Sequence, residues 1–524
     1  MIDSSLLSIV IIHWNTPAAL ERQLTELKDI HDCICVVNNG GDTTRLERSF
    51  PRVTFYTNKH NQGFGKAGNS GSYVNSSKYM LFLNTDVHIS TTEIEALLTT
   101  AKQQSLSALS PTLITPNGEI DPRYQKDIPS FMSLLWEFTP LNRLGQFPFS
   151  QGKTLPGACL LIKRSIFEQL GGWDERYFVW FEDSRLSLQL LNQHQPFTVT
   201  SQRVIHQGAL SFDQLQTEKR TELFFLSMRQ FIDQNLGSIQ KWILNWNTRR
   251  FSHNVLLSAD SQIELSLVVP NMQRPLLEKF LEQQLHLFTF TKHELIIVTS
   301  VNDITDLRRK YPEVVFICLE QNKGFAHTVN LGFRRARGKY IGTVNDDTFA
   351  KKSWFEPLVE YLEQHPQKKI GSIAPQVLKP NKEVESLGIT VLPKGKAKVL
   401  TTANSGQSID ANNAAAVIYN RRALEEVGLY DERFGSYLED IDLGLRMKKR
   451  GWQHLALPEV EITHIGQQTS RRDPSQKAWQ DTKNWWLLTL KHTTAQQWLT
   501  SGWAIVIERA RNLSGFIKTL NSVD

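Results

Sequence analysis

Tyr79-Met80-Leu81-Phe82-Leu83-Asn84-Thr85-Asp86 is an apolar run that halts at polar residues and an aspartate. Tyr340-Ile341-Gly342-Thr343-Val344-Asn345-Asp346-Asp347 repeats that design 261 residues later. A short continuous apolar run bounded by turn residues reads as a strand buried on both faces of a sheet.

Other landmarks recur around these two stretches. Asn61-Gln62-Gly63-Phe64 returns as Asn322-Lys323-Gly324-Phe325, also 261 residues on. Gly172-Trp173-Asp174-Glu175-Arg176 returns as Leu429-Tyr430-Asp431-Glu432-Arg433, and Glu182-Asp183 as Glu439-Asp440, both 257 residues on. His206-Gln207-Gly208 returns as His464-Ile465-Gly466 at 258. Five landmarks in one order at nearly one offset describe a duplicated domain.

Each copy opens on a buried strand, Leu7–Ile12 or Leu265–Val269. A second follows at Cys33–Val37 or Leu295–Thr299, and a third at Val53–Tyr56 or Val314–Cys318. Helical stretches separate them, so right-handed crossovers and a mostly parallel sheet are expected: an α/β protein. The expected division is a first domain over 1–235, a helical and polar linker over 236–262, a second domain over 263–472 and a Trp-rich helical tail over 473–524.

Composition bounds the function. With 40% hydrophobic and 21% charged residues, the chain is neither disordered nor fibrous. The net charge of +6 over 524 residues fits an acidic ligand or an anionic membrane surface, and does not call for nucleic acid. Cys33, Cys35, Cys159 and Cys318 lack metal-site spacing and are expected to be reduced and buried. The opening Met-Ile-Asp-Ser-Ser-Leu-Leu has no basic lead, so no signal peptide is expected, and no 18 apolar residues run together.

In parallel α/β sheets ligands collect at the carboxyl ends of the strands, which makes Asp86 and Asp347 the first residues to question. A carboxylate there can hold a divalent cation that grips a diphosphate; the plainer reading is a loop acid ahead of the helix start Ser90-Thr91-Thr92-Glu93. Glu182-Asp183 and Glu439-Asp440 follow aromatic segments and open amphipathic helices. They are either acids favoured by the helix dipole or a general base tuned by its surroundings. His206 and His464 each end a strand ahead of a glycine, as a structural residue or as a metal or phosphate contact. Gly63 and Gly324 would let backbone approach a ligand closely.

Taken together, and present twice, these motifs resemble the family 2 glycosyltransferases of the GT-A fold, in the rhamnosyltransferase and galactofuranosyltransferase-like branch. The carriers are Ser8–Asn15, Asn61–Asn69, Leu83–Asp86, Pro156-Gly157-Ala158, Gly171–Glu175, Glu182-Asp183 and His206, with Asn322–Gly332, Asn345–Asp347, Gly428–Glu432, Glu439–Arg446 and His464 in the second copy. The resemblance implies two tandem GT-A domains with a C-terminal helical tail. It implies Mg²⁺ or Mn²⁺ at Asp86 with His206, and at Asp347 with His464, Asp346 assisting. It places a nucleotide sugar against Asn38, Asn61, Gly63 and Asn84, and against Asn322, Gly324 and Asn345. Asp183 and Asp440, beside Glu182 and Glu439, inherit the base of an inverting transfer.

Two departures stand out. Asn38 occupies the place of a base-contacting aspartate, with Thr299-Ser300 in the second copy, and Arg185 stands where the second copy keeps Asp442. The expected acceptor is a growing bacterial surface glycan, free or lipid-linked, and the expected location is cytoplasmic. The tail, with Trp479, Trp485, Trp486, Trp498 and Trp503, either lies on the inner-membrane surface or packs on the second domain. One active domain beside a scaffold, and a binding protein without catalysis, are the competing expectations.

Overall fold

The computed structural model describes all residues except 1, 125, 146, 209–214, 249–255, 302, 393–395, 403, 405–406, 467–473 and 521–524. The chain forms two compact units, Met1–Asn254 with Asp303–Glu313, and Val255–Asn302 with Val314–Asp524.

In the first unit the strands are β1 (Leu7–His13), β2 (Ile34–Asn38), β3 (Thr54–Thr57), β4 (Tyr79–Asn84), β5 (Val87–His88), β6 (Ala108–Ile114), β7 (Cys159–Lys163) and β8 (Phe197–His206). They form one sheet in the order β3-β2-β1-β4-β7-β6-β8-β5. Pairings among β3, β2, β1 and β4 are parallel, as is β6 with β8; β7 runs against both neighbours, and β5 against β8.

The second unit repeats this plan with β9 (Leu265–Asn271), β10 (His293–Thr299), β11 (Val315–Cys318), β12 (Tyr340–Val344), β13 (Thr348–Phe349) and β14 (Ile370–Leu378). The short strands β15 (Val384–Ser386), β16 (Ile389–Leu392), β17 (Lys396–Val399) and β18 (Ser408–Ile409) follow, then β19 (Ala416–Asn420) and β20 (Gln453–His464). Its order, β11-β10-β9-β12-β19-β14-β20-β13, matches the first sheet strand for strand. β15 is added at β14, β18 at β20, and β16 pairs with β17 alone.

The alternation of side chains sorts the first core into two layers. Leu7, Ile9 and Ile11 of β1 join Leu81 and Leu83 on one face. Val10 joins Met80, Phe82 and Trp173 on the other. The helix Phe64–Ser72 lies close to the sheet because Gly71 faces β1 and β2: a Cβ there would meet Val10 at 2.5 Å and Val37 at 2.7 Å. Gly332 repeats this against Val268 at 2.4 Å.

The expected tail is more than a tail. The helices Thr217–Asn235 and Ser238–Thr248 have counterparts in Pro474–His492 and Ala495–Leu520, starting 257 residues on in both cases. The repeat therefore continues through the segments expected as a linker and a tail. Cys33, Cys35 and Cys159 are buried free thiols as expected, while Cys318 is half-buried.

Candidate active site

The first site is assembled where β4 ends. Two residue pairs, Val87 with His206 and His88 with Ile205, join β5 to β8. Because Asp86 directly precedes Val87, this register lays it against His206, and the Gln207 N–H donates to the Asp86 carbonyl at 2.9 Å. Asp86 Oδ1 and His206 Nε2 are 3.3 Å apart, and both residues are buried. In the second copy Thr348 pairs with His464, Ile465 N–H donates to the Asp347 carbonyl at 2.9 Å, and Asp347 Oδ1 lies 3.2 Å from His464 Nε2.

Behind each histidine stands an acid that the motifs did not single out. Asp121 Oδ2 is 3.6 Å from His206 Nδ1 and is gripped by Arg123 at 2.6 Å. Glu385 lies 3.1 Å from His464 Nδ1. A carboxylate bonded to the far nitrogen, as Glu385 is, orients an imidazole whose other nitrogen faces a ligand, whereas Asp121 stands beyond hydrogen-bond length from His206. These acids differ in type and sit at different offsets in the two copies, so repeat comparison does not align them. Burial opposes charge on His464, yet its bonds to Asp347 and Glu385 outweigh this and push it up to about 9.

Among the described residues no group of three or more His, Cys, Asp or Glu side chains surrounds a common point as a closed metal cage would. Asp86 with His206 offers two ligands of the right chemistry for a divalent ion whose remaining positions belong to phosphate and water. Neither ring nitrogen of the fully buried His206 makes a hydrogen bond, which leaves Nε2 available beside Asp86. The donor set fits such an ion. Asp346 Oδ2 accepts from Asn271 Nδ2 at 2.6 Å, and burial, with Asp347 nearby, pushes its carboxyl up to about 7.

The acidic pairs open the helices Glu182–Asn192 and Glu439–Lys449. Two left-handed residues precede each pair: Trp180 (φ 65°) and Phe181 (φ 69°), and Tyr437 (φ 71°) and Leu438 (φ 69°). Within each pair the two acids have different surroundings. Glu182 and Glu439 are buried with Oε2 lacking a hydrogen bond; burial, then the neighbouring aspartate, raises both well above the usual range. Asp183 Oδ1 accepts from the Ser184 N–H at 2.7 Å, and Asp440 Oδ1 from the Ile441 N–H at 2.8 Å. The Pro-Gly-Ala turn and its equivalent add backbone donors from Gly157 and from Ala414, the latter at 3.3 Å. Burial still raises Asp183, and pushes Asp440 up to about 6. Within each pair the glutamate is the more strongly raised acid, and the aspartate, with its backbone donors, gives up its proton more readily.

Both acid groups of the first copy bear on one spot. Burial first, then Asp86 and Asp183 among others, raises the pKa of the Tyr124 hydroxyl, so the two carboxylates lie within electrostatic reach of one side chain.

The expected nucleotide contacts are mostly parts of the loops themselves. Asn38 is buried and its amide is engaged: Oδ1 receives His13 Nδ1–H at 3.1 Å and the Gly40 N–H at 3.0 Å, while Nδ2 donates to Gly41 O at 3.0 Å and Thr43 Oγ1 at 3.1 Å. Because His13 Nε2 accepts from the Thr16 N–H at 3.1 Å, Nδ1 carries the proton and the ring is neutral; burial lowers its pKa accordingly. At the corresponding place Thr299 donates to Asn271 at 2.8 Å. Asn61 and Asn322 each accept from the N–H of the glycine two residues on, at 2.9 Å in both cases. Asn84 N–H donates to Ala158 O at 2.9 Å and Asn345 N–H to Ala415 O at 3.0 Å, tying the loop of Asp86 or Asp347 to the turn that meets Asp183 or Asp440. Gly63 (φ 84°) admits no side chain, since a Cβ would lie 2.2 Å from Phe178 O.

Comparison with known proteins gives the family to which this duplicated fold belongs. Glycosyl transferase family 2 matches residues 8–171 and again 266–428, more than half of the chain. The protein belongs to glycosyl transferase family 2. Among its relatives, the low-salt glycan biosynthesis hexosyltransferase Agl10 of Haloferax volcanii is 23% identical over 189 residues, 34% of this chain and 59% of that protein. The N-acetylglucosaminyl-diphospho-decaprenol L-rhamnosyltransferase of Mycobacterium tuberculosis is 28% identical over 218 residues, 36% of this chain and 71% of that one. The chain thus spans 59% of the first relative's length. A solved structure, the mannosyltransferase PcManGT from Pyrobaculum calidifontis with GDP-Man and Mn²⁺, is 14% identical, with a TM-score of 0.33 over 57% of this chain and 86% of that chain.

Proposed function

We propose that the chain is a bifunctional inverting glycosyltransferase, each copy moving a sugar from its own nucleotide-sugar donor to a growing, lipid-linked bacterial surface glycan. The observation that carries this is the duplicated geometry. In both copies an acid just past the fourth strand meets a histidine at the end of β8 or β20, at 3.3 and 3.2 Å, and an aspartate beside a glutamate strongly raised by burial opens a helix.

Asp86 with His206, and Asp347 with His464, would hold Mg²⁺ or Mn²⁺. That ion, when bound, supplies positive charge to the diphosphate leaving group. Asp183 and Asp440 accept the proton of the acceptor hydroxyl as its oxygen bonds to the anomeric carbon and the carbon–phosphate oxygen bond breaks in line. Configuration inverts, and the nucleoside diphosphate leaves with the bonding pair. The loop from Asn38 to Gly41 shapes the base side of the donor pocket through its backbone, since the Asn38 amide is spent within it.

The same reading places the protein on the cytoplasmic face of the inner membrane. No described helix is long and apolar enough to cross a bilayer. The helix Ala495–Leu520 nevertheless exposes Leu499 (88%) and Trp503 (79%), and Ser238–Thr248 exposes Trp242 (67%) and Trp246 (55%). Such faces suit a membrane interface.

The test is donor hydrolysis and transfer over a panel of nucleotide sugars with Mg²⁺ or Mn²⁺, for the intact protein, Asp183→Asn and Asp440→Asn. Each variant is expected to lose a different donor. Loss confined to one variant leaves a single active copy, and no loss in either overturns the base assignment.

A further inference from the structure

The strained loop ahead of each acidic pair is held from outside, by the helix that follows β8 or β20. In the first copy Ser227 on Thr217–Asn235 donates to Val179 O at 2.6 Å. Gln234 donates to Asp174 Oδ2 at 3.0 Å and accepts from the Tyr177 hydroxyl at 2.7 Å. Arg185, on the helix of the acidic pair, donates to Asn235 Oδ1 at 2.7 Å.

The second copy makes the corresponding contacts 257 residues on with different chemistry. Asn484 Nδ2 donates to the Ser436 and Tyr437 carbonyls, both at 2.7 Å. Lys491 Nζ binds Asp431 Oδ2 at 2.7 Å and Asp442 Oδ1 at 2.8 Å. His492 Nε2 lies 2.7 Å from Asp442 Oδ1, and Arg446 Nε holds Oδ2 at 2.8 Å. Gln234, Asn235 and Arg185 have thus become Lys491, His492 and Asp442: the charge has moved across the contact and the contact has survived. This accounts for Arg185 standing where Asp442 does.

A pair of left-handed, non-glycine residues persists only where the surroundings impose it. The clamped carbonyls are those of Ser436 and Tyr437, and only Leu438 separates them from Glu439, so any slack in the clamp is passed to the first turn of the helix that carries Asp440. We infer that Lys491 and His492 are positioning residues for the Glu439–Asp440 pair, acting through Asp431 and Asp442, and that Gln234 and Asn235 serve Glu182–Asp183 in the same way without charge. The inference rests on Asp440 being the base of the second copy.

The whole 524-residue chain tests it with three variants: Lys491→Met, Asp442→Arg, and the triple Asp442→Arg/Lys491→Gln/His492→Asn, which installs the first copy's set. Amide hydrogen exchange of residues 434–442 is measured beside kcat and KM for the donor whose turnover Asp440→Asn abolishes. Lys491→Met is expected to speed exchange in that segment and leave 177–184 unchanged. It should lower kcat by about tenfold or more with KM within about twofold, as displacement of a reacting group does. Asp442→Arg should be worse, and the triple variant should recover kcat to within about threefold of wild type.

Unchanged exchange in Lys491→Met means there is no clamp, and faster exchange with kcat unaltered means the clamp positions nothing. A triple variant no better than Asp442→Arg alone also overturns the inference. If Asp440→Asn abolishes no donor's turnover, the base assignment fails, and exchange by itself decides whether the clamp exists.

Discussion

Asp86 and His206 stand 120 residues apart in the chain and 3.3 Å apart in space, joined through two residue pairs of one short antiparallel ribbon. The same device brings Asp347 to His464. Two-residue strands have little stability of their own, so the site depends on the long strands β8 and β20, themselves paired in parallel with β6 and β14.

Removing either acid should silence only its own copy. Asp86→Asn and Asp347→Asn are each expected to lower the turnover of one donor by about a hundredfold or more. Melting temperature should change little. Turnover of two donors, measured with each variant, checks this.

Protons and metal compete at His464. Its pKa near 9 means that its pairing with Asp347 and Glu385 stabilises the fold fully below about pH 6.5, and that this contribution fades as pH rises through 9. An ion must displace that proton, so Mn²⁺ affinity of the second copy should climb between pH 7 and 9, by on the order of tenfold per unit. Mn²⁺ titration by electron paramagnetic resonance of the Asp86→Asn variant isolates this site.

Asp440 is held at a cost. Its carboxyl is raised to about 6, so the ionised form destabilises the fold above that pH and the protonated form does not. Asp440→Asn should therefore raise the stability of the second unit by about 1–3 kcal/mol at pH 7.5 while abolishing turnover, with the gain shrinking as pH falls through 6. Thermal melts at pH 7.5 and pH 5 measure it.

Gly63→Ala should be the more damaging of the two matched glycine changes. Its Cβ meets a carbonyl at 2.2 Å, whereas in Gly324→Ala the closest backbone atoms stand at 2.9 Å. We expect Gly63→Ala to cost about 3 kcal/mol and to impair Asp183-dependent turnover, because the struck carbonyl, Phe178, lies four residues ahead of Glu182. Melting curves and donor turnover read both effects.

Leu499→Gln with Trp503→Gln should weaken binding to anionic phosphatidylglycerol vesicles by roughly tenfold or more, since both side chains face outward. Vesicle co-sedimentation checks it, with donor turnover in detergent-free buffer expected to hold.

Much of this was legible in the residues. The apolar runs place the first four strands of each copy to within two residues, and duplication supplies the pairing of Asp86 with His206 because both recur. Ser90 and Glu93 do form the reciprocal cap their spacing suggests. Other parts carried no local signal. Asp121 stands in a turn after β6 and Glu385 on the short strand β15, and the two acids differ in type, so neither copy announces the other's acid. The helices after β8 and β20 share few residues, and their equivalence shows only in what they touch, as when Ser227 and Asn484 both bond the loop at Val179 and Ser436. Asn38 reads as a ligand contact by position, yet its amide is used up by short-range bonds that a linear pattern does not reveal.

Asn39, next to it, has a further consequence. Its amide receives Asn58 Nδ2 at 2.7 Å and the Gln62 N–H at 3.3 Å, and gives a bond to Gly63 O at 3.0 Å. Three segments of the first copy's pocket rim are thereby cross-braced before any donor arrives. A ligand entering that rim surrenders little of its affinity to freezing loose chain. Ser300, at the matching place in the second copy, has one hydroxyl in place of an amide's two donors and its carbonyl. On the proposed function, the first copy is therefore expected to bind its donor more tightly than the second, a difference that calorimetry on Asp86→Asn and Asp347→Asn would read.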